Sequence, residues 1–431
     1  MTEVVERHEA LAAAFESFRH EAAFGADSLR RVRERAFDRF AEAGFPSTRD
    51  EEWRFTNVAP IARTTFVRPG RDGTAVARGV LEPYRFAEAG AEIVVVNGHV
   101  APWSASPALP SGVSFGRLAD AIAHGIRLPE GARPFADLNT AFFDDCVVLH
   151  IAPHAAVREP IHVLHFSTSA GAPLMASPRL LVLAGERSEA TVIESYAGAG
   201  SGVTLTNAVT EFALQPGALV EHIKVQREAA TAFHMASQFA HLGRGATLAS
   251  RSLVFGGHLV RNDVVAVLAG EGAECTLNGL YIATGDTLVD THTTIDHAKP
   301  HCPSHEVYKG ILAGKSRAVF NGKIIVRQDA QKTDAKQTNK ALLLTDDAQI
   351  NTKPQLEIFA DDVKCTHGAA IGQLDEDAMF YLRARGISVE SARNMMIHAF
   401  AGDVLNGIRV DAVREAAVTL MEQKLRLSHE V

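Results

Sequence analysis

The sequence predicts a mainly β protein whose central solenoid of short strands is flanked by α-helical regions. Helical periodicity is absent for roughly 220 residues from about Asp145, where β-branched runs alternate with glycine and proline. Turn signals in this stretch recur after 28 positions, from Gly217 to Gly245, and after 27 positions, from Gly245 to Gly272. Both flanks carry apolar residues at helical spacing.

A recurring unit of two or three short strands with tight turns favours a β-helix or a related solenoid. A β-sandwich is the alternative that the pattern leaves open. Later turns at 314–316 and 345–348 keep the same composition but lose the strict period, so the repeat is strongest in the middle of the chain.

Four regions follow from these patterns. They are an amino-terminal helical region (1–90), a mixed connecting segment (91–144), the β-helix core (145–373) and a carboxyl-terminal helical region (374–431). Gly44 and Pro46 end the second amino-terminal helix, and Gly386 ends the first carboxyl-terminal one. Ser388 caps the next helix, for which the sequence predicts an apolar stripe. The stripe consists of Ala392, Met395, Met396, Ala399, Phe400 and Val404.

The composition excludes several classes of function. The 431 residues are 46% hydrophobic, enough for a sizeable core, and the net charge of -8 without basic runs argues against nucleic acid. A polar amino terminus and the lack of an 18-residue apolar run predict a cytoplasmic protein without a membrane partner. Four widely spaced cysteines (Cys146, Cys275, Cys302, Cys365) argue against a disulfide framework.

Catalytic motifs fail on spacing or context. The segment from Gly310 to Ser316 has three residues between its glycines where a phosphate-binding loop needs four, and no helix is predicted after it. No Gly-x-Ser-x-Gly elbow follows a strand. The acidic pairs at 346–347 and 361–362 are typical turn residues, because adjacent residues on a strand face opposite sides. We therefore expect no nucleotide hydrolysis by the chain alone, so that any use of ATP would belong to a partner.

The segment from Asp296 to His305 is dense in metal-ligating residues. His297, His301, Cys302 and His305 could meet a zinc ion if the loop curled, but its prolines favour a structural loop between strands. Cys146 and Cys275 lie in apolar contexts and are predicted core residues.

Cys365 and His367 are two residues apart, so on a strand their side chains point the same way. Sulfur and imidazole together suit iron, zinc or copper better than magnesium or calcium. The alternative is a buried cysteine beside a hydrogen-bonded histidine. Because no completing ligands occur nearby in the chain, the pair is half of a metal site at most, and the other half would come from another subunit.

Several motifs lie near the amino terminus and, more densely, between Asp296 and Asp403. They are Gly44-Phe45-Pro46 with Glu51-Glu52-Trp53-Arg54-Phe55-Thr56, Pro300-His301-Cys302-Pro303-Ser304, Tyr308-Lys309-Gly310-Ile311-Leu312, Ala335-Lys336-Gln337-Thr338-Asn339, Leu342-Leu343-Leu344, Lys353-Pro354-Gln355-Leu356-Glu357-Ile358, His367-Gly368-Ala369, Phe380-Tyr381-Leu382-Arg383-Ala384-Arg385-Gly386 and His398-Ala399-Phe400-Ala401. Jointly they resemble the SufB/SufD family of iron-sulfur cluster assembly scaffolds. Lys340 stands where the SufB branch has a cysteine used in assembly, and Cys365-Thr366-His367-Gly368 stands where that branch tends to have Glu-His-Glu. Both departures favour the SufD branch.

The resemblance implies a right-handed parallel β-helix that pairs with a SufB subunit and binds the ATPase SufC through its carboxyl-terminal helices. It implies that ATP hydrolysis in SufC drives the assembly of nascent iron-sulfur clusters. His367 would act at the SufB interface, with Cys365 a weaker candidate, and both would hold iron or a cluster only transiently. No permanently bound cofactor is expected.

Three alternatives remain from the sequence: a SufB-like scaffold, a carbohydrate-active β-helix enzyme with acidic turns lining a groove, and a structural protein that forms homodimers through solenoid edges when alone.

Overall fold

The computed structural model describes residues 2–21, 24–25, 27–71, 76–104, 107–116, 133–169 and 171–427, with side chains from Leu11 onwards. Most strands belong to two facing sheets, which together form a parallel solenoid of about eight turns. The predicted mainly β fold, with helices before and after the solenoid, is confirmed.

The first sheet, sheet I, contains ten strands in the described residues. In spatial order they are β2 (His99–Val100), β1 (Ala91–Val96), β5 (Ile161–Thr168), β8 (Glu189–Ala199), β10 (Leu219–Arg227), β12 (Thr247–Val254), β14 (Glu274–Ala283), β16 (Pro303–Leu312), β18 (Asp334–Leu343) and β20 (Lys364–Gly372). The β1–β2 pair is antiparallel, and every later neighbour in the described sheet is parallel.

Sheet II lies opposite and is antiparallel only at its first pair, β3–β4. Its strands in spatial order are β3 (Val113–Gly116), β4 (Val147–Ile151), β7 (Arg179–Ala184), β9 (Thr204–Leu214), β11 (Phe233–Leu242), β13 (Leu259–Leu268), β15 (Leu288–His297), β17 (Arg317–Val326) and β19 (Gln349–Ile358), while β6 (Leu174–Ala176) pairs with β9 beside this path.

The spacing of 27 or 28 residues predicted from the turn signals corresponds to one coil of the solenoid. Leu219 pairs with Thr247, 28 positions later, and Thr247 pairs with Glu274, 27 positions later. Gly217, Gly245 and Gly272 precede these strands at φ values of 70°, 60° and 71°, a conformation that glycine adopts without strain. Towards the end of the solenoid the coils lengthen to 31 and 30 residues, between β16, β18 and β20, which is why the strict period disappears there.

The space between the two sheets, here called the lumen, is partly apolar and partly polar. On β10, alternation turns Val220, His222 and Lys224 towards the lumen, while Ile223 and Val225 face outwards. Val220 belongs to a continuous apolar core that runs along one side of the solenoid. The polar residues occupy the other side of the lumen.

Eight helices are described. They are α1 (Thr2–Arg19), α2 (Asp27–Ala43), α3 (Ala59–Arg63), α4 (Arg78–Leu81), α5 (Pro134–Phe142), α6 (Glu376–Ala384), α7 (Val389–Leu405) and α8 (Asp411–Leu427), with short 3₁₀ turns at Glu51–Trp53, Glu82–Tyr84 and Pro102–Ser104. Asp375 and Ser388 cap α6 and α7 by accepting hydrogen bonds from the backbone N–H groups of Ala378 and Ser391. Within the described residues, the helices are too short or too polar to span a membrane.

The helices cover the outer faces of the two sheets. Phe15, Phe40 and Trp53 of the amino-terminal region pack against Leu205 and Phe233 on sheet II. The carboxyl-terminal helices pack against sheet I, where Ile397 and Val413 meet Ile223 and Leu253.

The motif around Trp53 attaches the amino-terminal segment to sheet II. The guanidinium of Arg261 lies 3.9 Å from the centre of the Trp53 ring, and the Thr56 hydroxyl donates to Asp290. His292 contacts both Glu52 and Asp290 at about 3 Å. Burial opposes its charge, but the neighbouring carboxylates raise the pKa of His292 to about 9. This motif therefore has a structural role.

The predicted apolar stripe on α7 is partly wrong. Met395 and Ala399 are exposed, whereas Ala392, Ile397 and Ala401 form the buried face. Apolar residues surround most of this helix, so the sequence alone does not specify which of them meet sheet I.

Candidate functional site

The carboxyl-terminal end of the solenoid is formed by β19 and β20. In the described residues each pairs with a strand on one side only, β17 and β18 respectively. Their outer edges therefore present backbone N–H and C=O groups that another strand could pair with. Ile358, Phe359 and Ile371 are exposed here, so this end carries apolar side chains as well.

Cys365 and His367 lie on β20 and face the mouth of the lumen. Cys365 is in register with Ala335, and His367 with Gln337; both partners on β18 are buried lumen residues. Cross-strand neighbours in register point to the same side of a sheet. The two predicted site residues thus share one side of the last strand of sheet I.

The two residues differ in environment. Cys365 is half-buried, and burial raises the pKa of its thiol, so the protonated form is favoured at neutral pH. His367 is exposed. An imidazole at the open end is the more accessible ligand, while the thiol would have to lose its proton on binding a metal.

Below His367, two further polar side chains follow in register. Glu306 of β16 pairs with Gln337 of β18, which pairs with His367 of β20. The Gln337 amide Nε2 donates to Glu306 Oε2 over 2.7 Å. Both side chains are at least 98% buried, since their exposed fractions are 1% and 2%. A line of three polar residues therefore leads from the lumen to its mouth.

Glu306 is a buried carboxyl group with few partners. Burial raises its pKa to about 7, and the nearby Thr293 hydroxyl and the Gln337 amide offset this only in part. In the described structure neither Glu306 Oε1 nor Gln337 Oε1 accepts a hydrogen bond. Two buried acceptor oxygens without a donor thus belong to side chains that are joined by a hydrogen bond, close to the open end.

Gln337 reaches across the lumen to Gly322 of β17. A β-carbon at Gly322 would lie 1.8 Å from the Gln337 Nε2 atom, so only glycine leaves room for the amide. This contact fixes the amide between the two sheets.

The amino-terminal half of the lumen is also polar. Glu194 is 3.0 Å from His222 and accepts hydrogen bonds from Tyr196 (2.7 Å) and Thr210 (2.8 Å). Burial would raise its pKa, but His165 and His222 outweigh burial and hold the pKa of Glu194 well below its usual value.

Glu228, a second buried carboxylate in this half, also has several polar partners. Glu228 lies 2.7 Å from His234 and accepts a hydrogen bond from Gln226 over 2.9 Å. The ammonium group of Lys224 donates to Asn262 over 2.6 Å, and burial lowers its pKa to about 8.

The residues from His297 to His305 do not form a metal site. His297 is buried with its Nε2 atom 3.0 Å from Ser304 Oγ, and burial lowers its pKa to about 4. The Cys302 thiol donates to the backbone carbonyl of Gly270. Across the described residues, no three His, Cys, Asp or Glu side chains lie together as metal ligands.

The other candidates from the sequence are structural. Cys146 and Cys275 are fully buried, and burial raises the pKa of both thiols. The acidic pairs at 346–347 and 361–362 lie in turns and bends. A turn, not a helix, follows β16 at Gly314, which excludes the phosphate-loop interpretation.

A second exposed surface lies on α6 and α7. Phe380, Tyr381, Val389 and Met395 are all more than half exposed, and Phe380 is 74% exposed. A group of large apolar side chains on one helical pair is typical of a protein-binding surface.

Sequence reasoning missed Glu306 and Gln337. Their register with His367 requires coil lengths of 31 and 30 residues, while the clear repeat in the sequence gives 27 and 28. The available signal was the alternation on β16 and β18, which places both polar side chains at positions that face the lumen.

The sequence also matches known proteins. Residues 165–400 match the family model described as SUF system FeS cluster assembly, SufBD core domain. An iron-sulfur cluster assembly SufBD family protein of Synechocystis is 34% identical over 394 residues, which cover 87% of this chain and 86% of that protein. The iron-sulfur cluster assembly protein SufD of Escherichia coli is 31% identical over 386 residues, covering 89% and 90%. The chloroplastic protein ABCI7 of Arabidopsis thaliana is 30% identical over 407 residues, covering 90% and 84%. The family resemblance predicted from the motifs is confirmed, and this chain belongs to the SufBD family of iron-sulfur cluster assembly proteins.

Proposed function

We propose that this chain is a SufD-type scaffold subunit that assembles nascent iron-sulfur clusters in the cytoplasm together with SufB and the ATPase SufC. It performs no catalysis by itself, and ATP hydrolysis belongs to SufC. Iron and the growing cluster are cargo that the complex holds transiently and then releases. The observation that carries the proposal is the position of His367 at the open end of the solenoid.

The open end supports the pairing with SufB. Two strand edges and three exposed apolar residues would be covered by a second solenoid that continues both sheets. His367 would then lie at the junction, where SufB supplies the remaining ligands. A site divided between two subunits can release its cluster when the subunits move apart.

The exposed surface of α6 and α7 supports the contact with SufC. Phe380 and Tyr381 project from a helix that is capped at both ends, by Asp375 and by Gly386. Large aromatic side chains on a rigid element are typical anchors of protein interfaces.

The test is anaerobic reconstitution of the complex with SufB and SufC, followed by measurement of bound iron, sulfide and cluster absorbance. His367→Ala is expected to lower cluster yield by tenfold or more, on the order of the loss of a metal ligand, while complex formation stays intact. His305→Ala, on the outer side of β16, is the matched control and should leave yield unchanged. Wild-type yield in His367→Ala would contradict the proposed role of His367.

The partner contacts are tested separately. Phe380→Ala with Tyr381→Ala should weaken copurification of SufC while SufB still binds, because both residues lie on α6 and not on the edge strands β19 and β20. Val80→Ala, which changes an exposed apolar residue on α4, serves as the control. Unchanged SufC binding in the double variant would place the ATPase elsewhere.

A further inference from the structure

Glu306 differs from Glu194 and Glu228, the other buried carboxylates described for the lumen, because no basic side chain accompanies it. Among the described residues, no Lys, Arg or His side chain is paired with its carboxyl group. A buried carboxylate without a counter-charge is costly, so such a group binds a proton or a metal ion. The surroundings of Glu306 indicate which of the two it is suited to hold.

The geometry brings three kinds of ligand into one line. Glu306, Gln337 and His367 occupy equivalent positions on three consecutive strands of sheet I. Strands lie about 4.8 Å apart, so the Cα atoms of Glu306 and His367 are about 10 Å apart, with Gln337 between them. Side chains of this length can approach a common ion from both sides.

The amide of Gln337 is held with its oxygen available. Its Nε2 atom donates to Glu306 Oε2, and it lies over the bare backbone of Gly322. Gln337 Oε1 and Glu306 Oε1 accept no hydrogen bond within the described structure, although both are buried. Buried acceptor oxygens without a donor are rare, because each costs about 1–3 kcal/mol.

The ligand types favour a divalent transition metal. A carboxylate oxygen, an amide oxygen and an imidazole nitrogen form a mixed hard and borderline set, which suits iron(II). The other half of the lumen lacks this property, since the oxygens of Glu194 are occupied by His222, Tyr196 and Thr210.

We propose that Glu306 and Gln337, together with His367, form an iron(II)-binding site within this subunit, one coil inside the open end. Iron would be held there before a cluster forms at the junction. The site depends on the proposed function only for the choice of iron as the cation. Part of the ligand set that His367 needs is thus supplied by its own chain.

The experiment is an anaerobic titration of the full-length isolated chain with iron(II), in competition with a chromophoric chelator. The wild-type protein should bind one iron(II) ion, and Glu306→Gln and His367→Ala should each weaken binding about tenfold or more. Glu274→Gln removes a carboxylate from the exposed side of β14 and should bind as the wild type does. Melting curves of the metal-free proteins establish that the variants are folded.

A third variant separates ligation from general disturbance. Gly322→Ala keeps every ligand atom but displaces the Gln337 amide, so binding should weaken less than in Glu306→Gln. Wild-type affinity in folded Glu306→Gln, or no iron(II) binding by the wild-type chain, would overturn the proposal and leave Glu306 as a protonated structural group. Neither result affects the reconstitution with SufB and SufC, so the two proposals fail independently.

Discussion

In the amino-terminal half of the lumen Glu194 is surrounded by His222, Tyr196 and Thr210, whereas in the carboxyl-terminal half Glu306 has the amide of Gln337 as its main hydrogen-bond donor. Both carboxyl groups are buried between the same two sheets. Their pKa values nevertheless shift in opposite directions, down for Glu194 and up for Glu306. The partners of the carboxyl group, and not its depth, decide which form is stable.

The difference separates a structural polar core from a group that is available for binding. Satisfied networks stabilise a unique packing, while a buried acceptor without a donor lowers stability. A loss of stability of this kind, here near the open end of the solenoid, is typical of functional sites. Four predictions test this contrast.

The largest effect on stability is expected when the carboxyl groups of Glu194 and Glu306 are replaced by amides in separate variants. At pH 7, Glu194→Gln should destabilise the protein by about 3–5 kcal/mol, because the charge that His222 and His165 stabilise is lost inside the lumen. Glu306→Gln should not destabilise it, since with a pKa of about 7 this buried group is already about half neutral at that pH. Midpoints of urea unfolding provide the measurement. Equal losses of unfolding free energy in the two variants would show that the two carboxyl groups do not differ in how their surroundings stabilise charge.

The pH dependence should have opposite signs in the two halves. The folded protein binds a proton at Glu306 with a pKa of about 7 instead of 4.5, so this group's contribution to stability falls as pH rises across that interval. Glu306→Gln removes this loss and should be more stable than the wild type at pH 8 by up to about 3 kcal/mol, with no gain at pH 4.5. Nearby Cys275 and Tyr308 do not interfere, because burial raises the pKa of both and keeps them neutral.

Glu194 should behave in the reverse manner. Its lowered pKa contributes stability above pH 4.5 that is lost as the pH falls through the folded value, and Glu194→Gln should abolish this loss. Urea titrations in a chelator-containing buffer between pH 4 and pH 8 measure both slopes. Parallel pH profiles for the two variants would contradict the assignment of opposite shifts.

A methyl group at Gly322 should have an intermediate effect. Gly322→Ala forces the Gln337 amide to move, at a cost of about 1–3 kcal/mol for overpacking. Gly368→Ala is a matched control, because a β-carbon there meets no atom within 4 Å. Thermal unfolding distinguishes them, and similar melting temperatures would mean that Gln337 is not confined.

The smallest effect should come from the residue at the open end itself. His367 is exposed, so His367→Ala should change stability by less than about 0.5 kcal/mol. Urea unfolding of the isolated chain measures this. A large loss would show that His367 supports the fold, and its effect on cluster assembly would then need no ligand role.

Much of the fold was accessible from the sequence because local signals agree with it. Gly217, Gly245 and Gly272 adopt the positive φ values that tight turns require, and Asp375 and Ser388 are standard helix caps. The common side of Cys365 and His367 followed from strand alternation alone.

The rest depended on contacts between distant segments. Coils that lengthen by about three residues hide the register that aligns Glu306 with Gln337 and His367. The buried face of α7 depends on where sheet I lies, which no periodicity reveals when apolar residues surround the helix. The metal-ligating residues from His297 to His305 are close in sequence but do not converge in space. The His297 ring contacts the Ser304 hydroxyl, and the Cys302 thiol donates to the carbonyl of Gly270.

The attachment of α7 has a mechanical consequence. Lys309, three positions after Glu306 on β16, points outwards and binds the backbone carbonyl of Phe400 and the carboxylate of Asp403 on α7. Lifting α7 would break both contacts and expose the Lys309 side chain, which is 96% buried beneath the helix, to water. Lys309 thus joins α7 on the outer surface directly to the strand that carries Glu306 on its lumen side.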